Sequence, residues 1–223
     1  MNLLIEYFQS YGDLYIEGTV ATLYMVFMST LFAYIFGVPL GILLTVTGPG
    51  SLVPRPVFNS VLGTIVNIGR SIPFIILIVA LIPFTRLVAG TSLGPRASVV
   101  ALVVGAVPFV ARLIEASLKE LNPGVIEAAE SMGASMPKLV LGVMLPEALP
   151  SLIRGVALTA ITLVGYSAMA GAVGGGGLGD IAIRYGYHRY QSDVMIGTLI
   201  LLVLMVQIIQ MAGNVLARFV DRG

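Results

Sequence analysis

The chain has 223 residues, 57% of them hydrophobic and only 10% charged, with a mean hydropathy of +1.00. Soluble domains carry about a quarter charged residues, so the composition excludes a water-soluble enzyme and requires a chain that lies in lipid. A net charge of +1 argues against nucleic acid as a partner, and the absence of cysteine removes disulfides, thiolate metal sites and cysteine nucleophiles.

The N-terminal MNLLIEYFQSYGD has no basic region ahead of an apolar core, so no cleaved signal peptide is expected. A span needs about 20 apolar residues. In chain order the sequence predicts an all-α membrane protein with five transmembrane helices, at about residues 14–46, 61–84, 97–118, 152–173 and 194–219. They make up a single transmembrane domain over residues 1–223, with a core of about 15–218. The first span is too long to stand upright, so it must tilt, kink or begin along the interface, with Gly37, Pro39 and Gly41 as the expected kink. Pro108 marks a kink in the third.

Five spans put the termini on opposite faces. With the N-terminus outside, the inner segments hold Arg55, Arg112, Lys119, Lys138, Arg154, Arg218 and Arg222, and the outer ones Arg86, Arg96, Arg184 and Arg189. That excess satisfies the positive-inside rule. Arg70 falls within the second span, where a central arginine costs roughly 2.5–3.5 kcal/mol and demands a partner, backbone carbonyls or water. Asn67 and Ser71 are its local candidates, and a span that starts later would leave Arg70 at the interface instead.

Between the third and fourth spans lies a polar stretch, about residues 122–144, that reads as two short cytoplasmic helices. Asn122 can cap the first, with Pro123 at its first position. Glu127 and Glu130 lie towards its N-terminal half, and Gly133 can take the left-handed conformation that stops it. Ser135 and Pro137 start the second helix, which should end before Leu145-Pro146. Val125, Ala129 and Met132 share one small apolar face that a second surface could approach closely. The bland alternative is an amphipathic linker on the membrane surface, but such helices are usually rich in Lys and Arg on the polar face.

The fourth span is dense in Ala, Gly, Ser and Thr, which let membrane helices approach each other. It either packs within one subunit or lines a central pathway with Tyr166, Ser167 and Met169, where Met169 is a deformable apolar plug. The glycines that follow, Gly174, Gly176 and Gly179, satisfy G-x-G-x-x-G but follow a membrane span, and no Lys-Ser/Thr pair comes after them. A nucleotide site is therefore not expected, and any energy source must be another chain. The aromatic and basic run from Asp180 to Asp193, with Tyr185, Tyr187 and Arg189, reads as an interfacial belt or as a landing surface for an outer partner. No residues suggest catalysis or a metal, and His188 stands without ligand-spaced companions.

Glu127-Ala128-Ala129, Gly133, Val143 and Leu145-Pro146 match the spacing of the EAA…G…I-LP signature of ABC importer permeases of the type I fold, with Val143 in place of the usual Ile. The stretches NIGRSIPFIIL, IPFTRLVAGTSLG, LPEALPSLI and ITLVGYSAMAGAVGGGGLGDIAIRYGY resemble the permeases of methionine importers over nearly the whole chain. That resemblance implies coupling helices formed by Glu127, Ala128, Ala129, Met132, Gly133, Leu145 and Pro146. It also implies a homodimer in the bacterial inner membrane, two ABC ATPase subunits that bind ATP and Mg, and an extracytoplasmic substrate-binding lipoprotein. The chain itself is then no enzyme and holds no cofactor. Methionine comes from the resemblance alone. A permease for another amino acid or small solute shares the signature, and an ion-coupled secondary transporter would need ionisable groups at mid-membrane.

Overall fold

The computed structural model describes the backbone of residues 2–220 and the side chains of residues 11–220. Helix α1 (Asn2–Val46) runs unbroken through Pro39. The glycines either side of that proline serve a close approach. A Cβ at Gly37 would lie 2.6 Å from Val110 Cγ1, and one at Gly41 would lie 2.6 Å from Ile114 Cβ. They let α1 press its backbone against α5 (Pro95–Lys119), as small residues do in membranes.

The expected second span is not one helix. α2 (Pro56–Ser71) stops because Ile72, held extended by the following Pro73, cannot continue it. The chain restarts as α3 (Phe74–Ala80) and α4 (Ile82–Ala89), which ends on Gly90 at φ 74°. Four helices, Tyr11–Val46, Pro95–Lys119, Leu149–Ala172 and Ser192–Val220, are long and apolar enough to cross a membrane, and the broken pair α2–α3 makes a fifth if it counts as one span.

After α5 come α6 (Pro123–Ser131), α7 (Met136–Leu139), a π-helical stretch (Val140–Met144) and α8 (Leu145–Glu147). The chain continues with α9 (Leu149–Ala172), α10 (Gly177–Ile181), a second π-helical stretch (Ala182–Tyr187) and α11 (Ser192–Val220).

The helices form two compact units, and α1, α5, α9 and α11 each contribute a stretch to both. One unit gathers the chain up to Leu31 with Pro73–Gly105 and Ala160–Ile209. In it, Thr22 Oγ1 accepts a hydrogen bond from the Leu178 N–H at 2.9 Å, and Met25, Leu102, Leu163 and Leu178 are fully buried. The other gathers Phe32–Ile72, Ala106–Thr159 and the chain from Gln210. Its core of Leu44, Val66 and Ala111 is flanked by Leu40 and Leu62. Asn59 ties the start of α2 to the end of α1 by donating to Leu44 O at 2.7 Å and Thr47 Oγ1 at 3.1 Å.

Candidate functional site

The polar stretch between α5 and α9 folds from its own sequence. Asn122 Oδ1 accepts from the Gly124 N–H at 2.9 Å, and Pro123 occupies the first turn of α6, where a missing N–H is harmless. The C-terminus closes with two bonds that satisfy orphan carbonyls. Gly133 N–H donates to Glu130 O at 2.9 Å, and Ala134 N–H donates to Ala129 O at 3.1 Å. Gly133 makes this geometry with φ +76°.

Three expectations change here. Neither acid lies in the first turn of α6, where the helix dipole would favour it: Glu127 stands mid-helix and Glu130 in the last turn. Met132 does not share the inward face of Val125 and Ala129. It lies beyond the last turn, where the cap swings it outward to 87% exposure, while Val125, Ile126 and Ala129 are half-buried. The second short helix does not end before Leu145-Pro146. Helical backbone passes through Pro146 because the π-helical stretch widens the spiral, with the Leu145 N–H bonding Val140 O. Glu127, Ala128, Gly133 and Met132 are all exposed, as are Lys138 and Leu141 further on, so this stretch offers a knob of mixed polarity.

In the same unit, α5 carries a charged ladder. Glu115 is buried and accepts from Arg112 Nη1 at 2.5 Å and from Lys119 Nζ at 2.7 Å. Arg112 Nη2 also donates to Gly63 O of α2 at 2.9 Å. The 112, 115, 119 spacing places all three on one helix face, so the sequence held a signal for this ladder. Arg70 lies in the last turn of α2, exposed, and neither expected neighbour serves it, since Ser71 Oγ donates to Asn67 O at 2.8 Å.

The remaining pathway candidates belong to the other unit. Tyr166 stacks on Phe74 with ring centroids 4.5 Å apart and planes 2° from parallel. Met169 is 46% exposed. Ser167 is buried, and its hydroxyl donates to Val164 O at 2.7 Å, so it offers no polar atom to a pathway in this conformation. The glycine loop is stitched into the same unit: the Gly94 N–H donates to Gly174 O at 2.9 Å, and Ser98 Oγ donates to Gly175 O at 3.3 Å. A Cβ at Gly177 would lie 2.7 Å from Thr22 Oγ1, so the glycines serve close packing where a phosphate cradle would need open backbone N–H groups.

Beyond the loop, Arg184 pairs with Asp180 at 2.6 Å, and the guanidiniums of Arg184 and Arg189 lie 5.3 and 4.4 Å from the ring centre of Tyr185. Tyr187 is 64% exposed, with its ring edge-on to His188. Tyr190, which the sequence did not single out, is the most exposed aromatic here and sits at φ 56°. Among the described residues no group of His, Asp and Glu is placed to hold a metal ion.

Several apolar helices long enough to cross a membrane, with a capped polar knob between α5 and α9, are the features of a multi-pass membrane protein. The chain belongs to the family described as binding-protein-dependent transport system inner membrane component, whose pattern matches residues 37–223. It is thus an inner-membrane permease without ATPase activity of its own. A Vibrio cholerae protein named a probable D-methionine transport system permease is 49% identical over 220 residues, covering 99% of this chain and 98% of that protein. The methionine import system permease of Bacillus subtilis is 47% identical over 180 residues, 81% of each chain. Among solved structures, a chain of the MetNI methionine ABC transporter in inward-facing conformations superposes with a TM-score of 0.94 at 49% identity, covering 96% of this chain and 99% of that one. An amino acid ABC transporter solved with histidines shares the fold alone, with a TM-score of 0.73 at 19% identity over 97% of this chain and 96% of that one.

Proposed function

We propose that this chain is the membrane-spanning subunit of an ATP-driven methionine importer. The observation that carries the reading is near-full-length identity of 49% to a methionine permease, with the same figure against a methionine transporter chain of matching fold. Two copies would form the pathway, and two ABC ATPase subunits with bound ATP and Mg would supply the energy. An extracytoplasmic binding lipoprotein would deliver substrate. The N-terminus faces the periplasm and the C-terminus the cytoplasm of a bacterial cell.

The knob formed by Glu127, Ala128, Ala129, Met132 and Gly133, with the helical run through Leu145 and Pro146, docks on the ATPase and carries its motion to the spans. Exposed Met132 and Leu141 give that contact its apolar area. Tyr166, Met169 and Arg70 line or close the pathway. Tyr185, with its two guanidiniums, and Tyr187 and Arg189 receive the binding protein. Tyrosine and arginine are the residues that dominate such contacts.

The test is uptake by vesicles containing this chain, its ATPase and its binding protein. ATP-dependent accumulation of labelled methionine is expected. Accumulation of a different amino acid with none of methionine would overturn the substrate, and no accumulation of any solute with an active ATPase would overturn the transport reading.

A further inference from the structure

A cavity of about 460 Å³ in the unit that holds α2 is lined by Arg70, Arg112, Glu115, Ala116, Lys119 and Leu158. Three of these side chains are cationic and one is anionic. The single acid, Glu115, is already committed to Arg112 and Lys119. Arg70 has no hydrogen bond or ion pair among the described residues, and the buried Nε of Arg112 has no partner either. That surplus of positive charge, open to solvent at Arg70 and Lys119, attracts an anion into the site.

The cations are arranged in order. α2 and α5 run antiparallel, with Gly69 against Pro108 and Gly63 against Arg112. Arg70 is therefore level with the turn of Pro108, Arg112 stands about one turn further along α5, and Lys119 closes the helix about 16 Å from Pro108 at 1.5 Å per residue. Arg70 is also about 21 Å along α2 from Pro56 by the same rise. A lipid headgroup at the membrane surface reaches Lys119 more readily than Arg70. The surface of α2 beside Arg70 is polar: Ser60, Thr64, Asn67 and Ser71 recur at helical spacing and are all exposed, while Val57, Val61, Ile65 and Ile68 form a separate apolar stripe. A helix with both stripes exposed turns the apolar one to lipid and the polar one to water.

We propose that this cavity is an anion site that takes the carboxylate of the transported amino acid, passed along Arg70, Arg112 and Lys119 as the solute crosses. The proposal rests on the importer reading and adds which part of the solute this chain holds. Guanidinium groups suit the task because they pair with a carboxylate through two parallel hydrogen bonds.

The natural chain has no cysteine, so Ala116→Cys places a single thiol in the cavity. The full chain, assembled with its ATPase in vesicles, is labelled with an anionic and a cationic methanethiosulfonate. The anionic reagent should be favoured by about tenfold over the ratio found when Arg70→Gln is added, and Arg70→Lys should restore most of that preference. Saturating methionine should slow labelling several-fold, and methioninamide, which lacks the carboxylate, should not. An Arg70-independent ratio, equal protection by acid and amide, or protection by phosphatidylglycerol in the vesicles without any amino acid would overturn the proposal. If the complex proves to carry another amino acid, that one should protect and its amide should not. The site then stands while the methionine assignment falls.

Discussion

Gly133 has φ +76°, where an L side chain costs about 1–2 kcal/mol, yet nothing lies within 4 Å of the position its Cβ would take. Any penalty for replacing it therefore comes from the backbone and not from a clash. Gly133→Val should strain the turn that closes α6 and lower ATP-driven uptake by about tenfold, whereas Gly133→Asn, which tolerates the left-handed region, should keep most of it. Equal uptake by the two variants, measured at equal dimer and ATPase content, would show that the turn does not transmit motion. Asn122, Pro123 and Gly133 were legible in the sequence because capping is decided by a few adjacent residues. The outward swing of Met132 was not, since a helical wheel assumes that the helix continues to that residue. Arg70 shows the other limit: the hydroxyl of neighbouring Ser71 bonds back to its own helix, and the charged groups that share the cavity of Arg70 come from α5.

At the scale of elements, hydropathy located the apolar segments, and two prolines behave differently within them. Pro39 sits inside an unbroken α1, while Pro73 ends α2 in the middle of an expected span. Proline tells only that one N–H is missing, and packing decides whether the helix tolerates it. The π-helical stretches could not be read from sequence at all, because their apolar periodicity over five or six residues does not differ from that of an α-turn. The glycines of α1 look like hinges in sequence and act as contact surface. Gly41→Val would place carbon 2.7 Å from Ala111 O and 2.6 Å from Ile114 Cβ. It should destabilise the α1–α5 pair by about 1–3 kcal/mol, read as a lower unfolding temperature of the purified protein in detergent. Gly12→Val, where nothing lies within 4 Å, is the matched control and should leave that temperature almost unchanged. Equal unfolding temperatures for both variants would mean that α1 and α5 can separate without loss.

For the whole molecule, the number of crossings turns on the break between Ser71 and Phe74, because α2 and α3 make either one interrupted span or a loop that returns to the face it left. Single cysteines at four exposed positions settle it: Val53 before α2, Leu93 before α5, Met132 after α6 and Tyr190 before α11. One long apolar helix, α9, lies between Met132 and Tyr190, so these two must report opposite faces. α5 lies between Leu93 and Met132, so these must differ as well. The positive-inside count puts Met132 in the cytoplasm, with Leu93 and Tyr190 outside. Five crossings then require Val53 to label with Met132 when an impermeant thiol reagent is offered to vesicles of known orientation. If Val53 instead labels with Leu93, α2 and α3 form a returning loop, and both termini share one face. Arg70 would then stand near the tip of that loop, and the charge ladder on α5 would begin at the turn of a re-entrant helix.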